Sequence, residues 1–225
     1  MTEENNTIEE NQVEDFMETR GIRNAFVTPI FESKVSESNK PMLEKVRKEI
    51  LRMKKAGEGA NEYGNFVTDD NLHENKEFSE LSNILLTECN NILNFLSVKR
   101  EAHYITTMWA NATNTTHRHM IHTHPNCLLS GIIHIQSPEG AGATTFADPR
   151  PGARVIEFNV NEFNEYNGGV MMLPPEEGKV LIWPSWLPHG VEVPMKQHSK
   201  DRIVVAFNVM AVGDIDTKTA KMRYN

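Results

Sequence analysis

The chain has 225 residues, 39% hydrophobic and 24% charged, a balance that fits one folded domain with a sizeable core and excludes a low-complexity polymer. Its formal charge of −8 argues against direct recognition of nucleic acid, which needs a Lys/Arg-rich surface. No apolar run is long enough to cross a bilayer, so no membrane partner is expected. Cys89 and Cys127 form no CxxC arrangement, and the N-terminus lacks the basic and apolar regions of a secretory signal, so two reduced thiols in a cytoplasmic protein are expected.

Much of the negative charge is local. Residues 1–20 hold seven acidic side chains and one basic, which leaves the remainder at −2. Residues 1–24 are therefore expected to be a disordered acidic tail. The rest, 25–225, is expected to be one domain, with helical support over 40–97 and a β core over 103–212. Phe26–Phe31 looks like a short edge strand, because Pro29 is tolerated only at an edge. Pro41 should start a helix to about Ala56 with Gly57 just past its end, and Met42, Val46, Ile50 and Met53 form its apolar stripe. Residues 58–74 read as polar and turn-rich. A second helix is expected from about Glu77 to Leu96, where Phe78, Leu81, Leu85, Cys89, Ile92 and Leu96 recur at helical steps.

From His103 onward the pattern changes to short β runs separated by Gly, Pro and Asn: His103–Asn111, Cys127–Gln136, Ala143–Ala147, Lys179–Trp183 and Arg202–Val212. Such strands after helices indicate a mainly β fold, a double-stranded β-helix (jelly roll, cupin-like) with supporting N-terminal α-helices. The glycines of Pro138–Gly142 have no lysine or helix start after them, so they form a turn and not a phosphate loop.

The chemistry is concentrated in three places. His122-Thr123-His124-Pro125 supplies an imidazole pair, Leu187-Pro188-His189-Gly190 a third imidazole, and Arg202, thirteen residues further on, a guanidinium. A few protein ligands on one face with open positions is the pattern of a non-haem iron(II) centre. The planar fork of an arginine suits the far carboxylate of 2-oxoglutarate. Strand alternation sends His117 and His119 one way and His122 and His124 the other, and Pro125-Asn126 places the second pair at the mouth of the next strand. In the strand from Cys127, Leu128, Ser130, Ile132, His134 and Gln136 share a face, so Ser130 and His134 could reach a cosubstrate. Arg202, Val204, Ala206 and Asn208 share a face of the last strand, opposite Ile203, Val205, Phe207 and Val209.

The run His122–Gly131 resembles the His-x-His-Pro…Ser-Gly motif of a family of 2-oxoglutarate/iron(II) oxygenases of bacteria and phages. Trp109-x-Asn111, Phe146-x-Asp148-Pro149-Arg150, Glu177–His189 and Arg202–Asn208 resemble further segments of that family, in the same order. More distantly, the stretch is similar to the oxygenase domain of aspartyl/asparaginyl β-hydroxylases, through His-Thr-x-Pro…Asn-Cys, the Glu-Gly-Lys-Val-Leu-Ile strand, a distal His and a following Arg. The resemblance implies Fe(II) and 2-oxoglutarate as cofactor and cosubstrate, His122 and His189 as iron ligands, and Arg202 as the cosubstrate anchor. It also implies Trp109, Asn111, Asp148, Arg150 and Asn208 as substrate-side candidates, and a peptide or protein side chain as prime substrate.

Where most such oxygenases carry Asp or Glu two residues after the first His, this chain has His124. The third ligand is then His124 itself, a water with His124 behind it, or Asp148, in that order of preference. The expected function is an iron(II)- and 2-oxoglutarate-dependent dioxygenase, a hydroxylase. The alternatives are a three-His cupin dioxygenase or isomerase without cosubstrate, and a jelly-roll binding module with a metal staple. Neither alternative needs a guanidinium after the distal His.

Overall fold

In the computed structural model the described residues are 21–62, 64–114, 118–150, 152, 155–156, 158–194, 200–216 and 219–224. Most of the expected acidic tail lies outside them.

The first strand, β1, runs Phe31–Lys34 and forms an edge of the main sheet. It begins where the expected Phe26–Phe31 strand ends. Pro29 has no N–H to give a ladder and Phe26 sits at φ 57, so the preceding residues cannot pair in register. Helix α1 spans Lys40–Ala56, with a proline in its first turn and Gly57 closing it in the left-handed region at φ 72. Met42, Leu43, Val46, Ile50 and Met53 are its buried face. The stretch expected to be irregular holds a hairpin, β2 (Ala60–Glu62) and β3 (Asn65–Val67), whose three-residue strands are too short to show alternation.

A 3-10 turn over Lys76–Phe78 leads into α2, Ser79–Phe95. The helix is thus shorter than the expected Glu77–Leu96, and Leu93 takes the buried place expected of Leu96, which is 37% exposed. The β core follows with β4 (Ala102–Thr113), β5 (His119–His122), β6 (Leu129–Gln136), β7 (Thr144–Ala147) and β8 (Val170–Leu173). It continues with β9 (Lys179–Pro184), β10 (His189–Val191), β11 (Arg202–Asp216) and β12 (Lys221–Tyr224).

The strands form two antiparallel sheets, as a jelly roll requires. The main sheet has the order β1-β9-β6-β11-β4-β3-β2, with β12 on β11; the smaller has the order β5-β10-β7-β8. One face of the main sheet is covered by α1 and α2. Ile203, Val205, Phe207 and Val209 of β11, Leu129, Ile133 and Ile135 of β6, and Val180 and Ile182 of β9 pack there against the helices' stripes. Gly131 is required in that layer, since a Cβ would lie 2.5 Å from Cζ of Phe207. The other face meets the small sheet through Phe146, Leu181, Trp183 and Leu187.

Register shifts adjust this alternation twice. Asn208 pairs with Thr107 but Val209 with Ile105, so Ile105 joins Met108, Ala110 and Ala112 in the helix-side core despite its odd spacing from them. Ile203 pairs with Gln136 but Val204 with His134. This turns Gln136 away from the face it was expected to share with His134. Its side chain instead receives Arg47 Nη1 of α1 at 3.2 Å and donates to the Asp201 carbonyl at 2.7 Å.

Cys89 is buried, Cys127 half-buried, and both are free thiols. No helix among the described residues is long and apolar enough to cross a membrane. Leu85 is fully buried where α2 meets the sheet. Leu85→Ala is expected to cost about 2–5 kcal/mol, seen as a lower denaturant midpoint at unchanged slope.

Candidate active site

β5 and β10 pair so that His122 lies opposite His189, while Val191 lies opposite His119. The bulge between these pairs adds one residue to β5 and reverses its alternation. His119 therefore lines the same cavity as His122, where simple alternation put the two on opposite faces. His117 lies outside the described residues. The bulge needs Gly190, because a Cβ there would meet the His119 carbonyl oxygen at 2.7 Å. His124 follows β5 and is held by its N–H donating to the Ser185 carbonyl at 3.0 Å. The chain then turns at Asn126, at φ 60.

One ring nitrogen each of His122, His124 and His189 lies within 4.8 Å of the others. Nε2 of His124 is 3.2 Å from Nε2 of His189. Two imidazoles bound at right angles to one ion, each with a bond of roughly 2.1 Å, would sit about 3 Å apart. The remaining nitrogens fix the tautomers. His122 Nδ1 lies 2.8 Å from the Met120 carbonyl and His189 Nδ1 lies 2.9 Å from the Leu187 carbonyl. Donating there, both rings present the Nε2 lone pair to the cluster, the usual support of a ligating histidine. The Trp183 indole N–H approaches the same Nδ1 at 3.2 Å; it cannot donate to a protonated nitrogen and instead packs the ring.

Burial, then the neighbouring His122, pushes His124 down to about 4. Burial does the same to His189, also to about 4, against the opposing effect of the Leu187 carbonyl. Both are neutral at pH 7, as a metal ligand must be. The donor set fits a first-row divalent ion.

The cavity behind these rings runs between the sheets. Trp109, Asn111, Ser130, Ile132, Thr144, Val204, Ala206 and Arg202 line it. Trp109 stands 6.0 Å from the His124 ring, centroid to centroid. Asn111 Oδ1 accepts from Asn65 Nδ2 at 3.2 Å. Arg202 is 4% exposed, and its Nε and Nη2 have no partner. These two nitrogens are one edge of the guanidinium, the edge that matches a carboxylate bidentately. Burial lowers Arg202 to about 10, so it is still a cation at pH 7.

Other candidates are engaged elsewhere. The Ser130 hydroxyl is 2.7 Å from Asn208 Oδ1 and 2.9 Å from Ser185 Oγ, while Asn208 Nδ2 donates to Thr107 Oγ1 at 2.9 Å. These buried groups satisfy one another and brace the strands under the histidines. The expectation that Ser130 reaches a cosubstrate meets a hydroxyl already occupied. Asp148 is not in the histidine cluster. Arg150 binds it bidentately at 2.9 and 2.7 Å, and both line a separate groove with Phe146, Phe163 and Tyr166. Sequence reasoning passed over Thr144 and the role of Gly190, and set His119 on the face opposite His122. Only the bulge and the packing of the small sheet bring them to the site.

Residues 107–208 match the protein family described as "Putative 2OG-Fe(II) oxygenase". No curated protein matches the chain. Among solved structures, a Pseudomonas putida prolyl-4-hydroxylase is similar at 10% identity and a TM-score of 0.60, covering 83% of this chain and 94% of its own. The 2-oxoglutarate-dependent epimerase SnoN of nogalamycin biosynthesis has 10% identity and a TM-score of 0.60, with 83% and 77% covered. HygX from Streptomyces hygroscopicus, solved with nickel and 2-oxoglutarate, has 11% identity and a TM-score of 0.56, with 82% and 83% covered. At these identities the likeness is one of fold.

Purified protein is expected to bind one divalent ion per chain, and His122→Ala or His189→Ala to abolish it, by metal analysis. His124→Ala should weaken the metal more than the roughly 10–100-fold typical of a residue that only supports a ligand. Near-normal affinity would exclude His124 from the coordination sphere.

Proposed function

We infer that this chain, whose residues 107–208 match the 2-oxoglutarate/iron(II) oxygenase family, is a dioxygenase whose iron is held by His122, His124 and His189 and whose cosubstrate is anchored by Arg202. The observation that carries the assignment is a buried guanidinium with one unpartnered edge in the cavity that the three imidazoles also line. A metal staple or a cupin without cosubstrate has no use for such a cation.

Iron(II), when bound, supplies activation of dioxygen, so that 2-oxoglutarate, dioxygen and a C–H bond become succinate, carbon dioxide and a C–OH group. The chain's own residues bind, orient and exclude water. Arg202 pairs with the far carboxylate and so points the keto-acid end at the imidazoles. Val204, Ala206 and Ile132 form apolar walls between the two anchors. Those walls keep the path dry, which strengthens the charge pairing at its closed end. All three imidazoles are neutral ligands, so the metal keeps its full charge toward an anionic cosubstrate.

His122 and Trp109 stand on the open side, where a prime substrate must approach. A peptide or protein side chain in that role is suggested by the sequence motifs alone, through their resemblance to those of β-hydroxylases. Asp148 and Arg150 bind each other off the cavity, so they serve as an outer contact for that substrate and not as its clamp at the metal.

Losing one partner of a buried charged pair costs about 2–5 kcal/mol. Arg202→Ala should therefore weaken 2-oxoglutarate binding by roughly thirty-fold or more, with metal content unchanged. Arg202→Lys keeps the charge without the fork and should recover only part of it. Succinate formation in the absence of prime substrate should fall in parallel. Iron-loaded wild-type protein that makes no succinate above a metal-free control would overturn the assignment.

A further inference from the structure

The small sheet ends on β8, whose outer side faces no strand among the described residues. The Asp148 N–H donates to the Gly169 carbonyl at 2.9 Å, and Ala147 lies opposite Val170. Backbone groups alternate sides along an antiparallel strand. Gly169, Met171 and Leu173 therefore bond toward β7, while the N–H and C=O of Val170 and Met172 point outward. Those four groups have no hydrogen bond among the described residues. Natural edges are usually guarded by charge or proline, and Val170-Met171-Met172-Leu173 carries neither. The side chains beside it are apolar and open. Phe26, Phe163 and Tyr166 line one groove with Val170 and Met171, and the three rings are 94%, 76% and 61% exposed. They alone offer roughly 450 Å² of apolar surface, and patches of that size on a soluble chain mark contact surfaces. With the exposed side chains of β8 they approach the roughly 800 Å² that one partner gives a standard interface.

We propose that β8 pairs with β8 of a second copy of this chain, antiparallel across a two-fold axis at Met171, so that two small sheets join into one. In that register Val170 of one copy lies opposite Met172 of the other. The two outward N–H and two outward C=O groups of each strand then meet their complements, with none left over. Two features select a second copy over an unrelated chain. Pairing an edge with itself is closed, so association stops at the dimer. The charged residues of the groove are two basic, Arg23 and Arg150, and two acidic, Asp148 and Glu165, which cancel. Two chains that each carry −8 thus meet where their charges do not oppose. His122 stands on β5, the opposite edge of the sheet, and stays open in both copies.

The test is sedimentation of the purified chain at concentrations up to roughly 100 μM, where a dimer with a Kd of about 10 μM or tighter is expected. Met171→Lys and Met171→Asp each bring like charges together at the axis, and each should weaken the dimer by roughly a hundred-fold or more. An equimolar mixture of the two should dimerise again, because unlike charges then meet there. Met172→Pro removes an outward N–H that the single chain does not use, so it should weaken the dimer and leave the melting temperature of the dilute protein unchanged. That melting temperature also establishes that the two charged variants are folded. A wild-type chain that stays monomeric throughout would overturn the pairing, as would variants that all dimerise like wild type or a mixture that fails to reassociate. Slow hydrogen exchange at the Val170 and Met172 amides of the monomer would assign the edge to the chain's own residues and overturn it as well.

Discussion

Strand β11 carries the constraint on which the rest of this structure depends. It lies in the middle of the main sheet, paired on one side with β4 and on the other with β6. Residues on a strand point alternately to opposite faces, so burying Ile203, Val205, Phe207 and Val209 under the two helices forces Arg202, Val204 and Ala206 toward the small sheet. A slip of one residue would place a guanidinium among the aliphatic side chains of α1 and α2. The hydrophobic contact with the helices thus determines where the cation of the site stands. Gln136 and Lys54 of α1 tie down the residue before it, through the carbonyl of Asp201 and its carboxylate at 2.9 Å.

The strict period of two would by itself give a poorer site. Three bulges depart from it, and each serves a purpose. One returns Ile105 to the helix-side core, one aims Gln136 at α1, and one on β5 turns His119 to the cavity beside His122. Each follows from a single extra residue in one strand, which re-aims side chains without disturbing the sheet beyond it.

The electrostatics of the cavity are unusual for a protein with a formal charge of −8. Its walls hold one buried cation, two depressed imidazoles (His124 and His189) and no carboxylate among the lining residues. The acidic residues lie elsewhere, some paired with surface lysines and arginines and seven gathered within the first 20 residues. An interior that is positive within an acidic molecule suits a small dianion.

The sequence by itself determined the class of fold and the elements of the site. Helical periodicity marked α1 and its buried stripe, and alternation placed Arg202, Val204 and Ala206 on one face. His122-Thr123-His124, His189 and Arg202 pointed to the chemistry proposed above, because three imidazoles and a following guanidinium suit a metal and an anionic cosubstrate. What only the tertiary structure decided were the features that depend on pairing between distant strands. The small sheet is built largely of three- and four-residue strands, too short to show a period. The bulges are properties of two strands and not of either alone. Two positions of β6 also differ for a reason no local pattern carries: Ser130 finds partners in Ser185 and Asn208, whereas His134, four residues further on the same face, finds none. Which buried polar groups are satisfied depends on what lies opposite each of them, and only the folded chain specifies that.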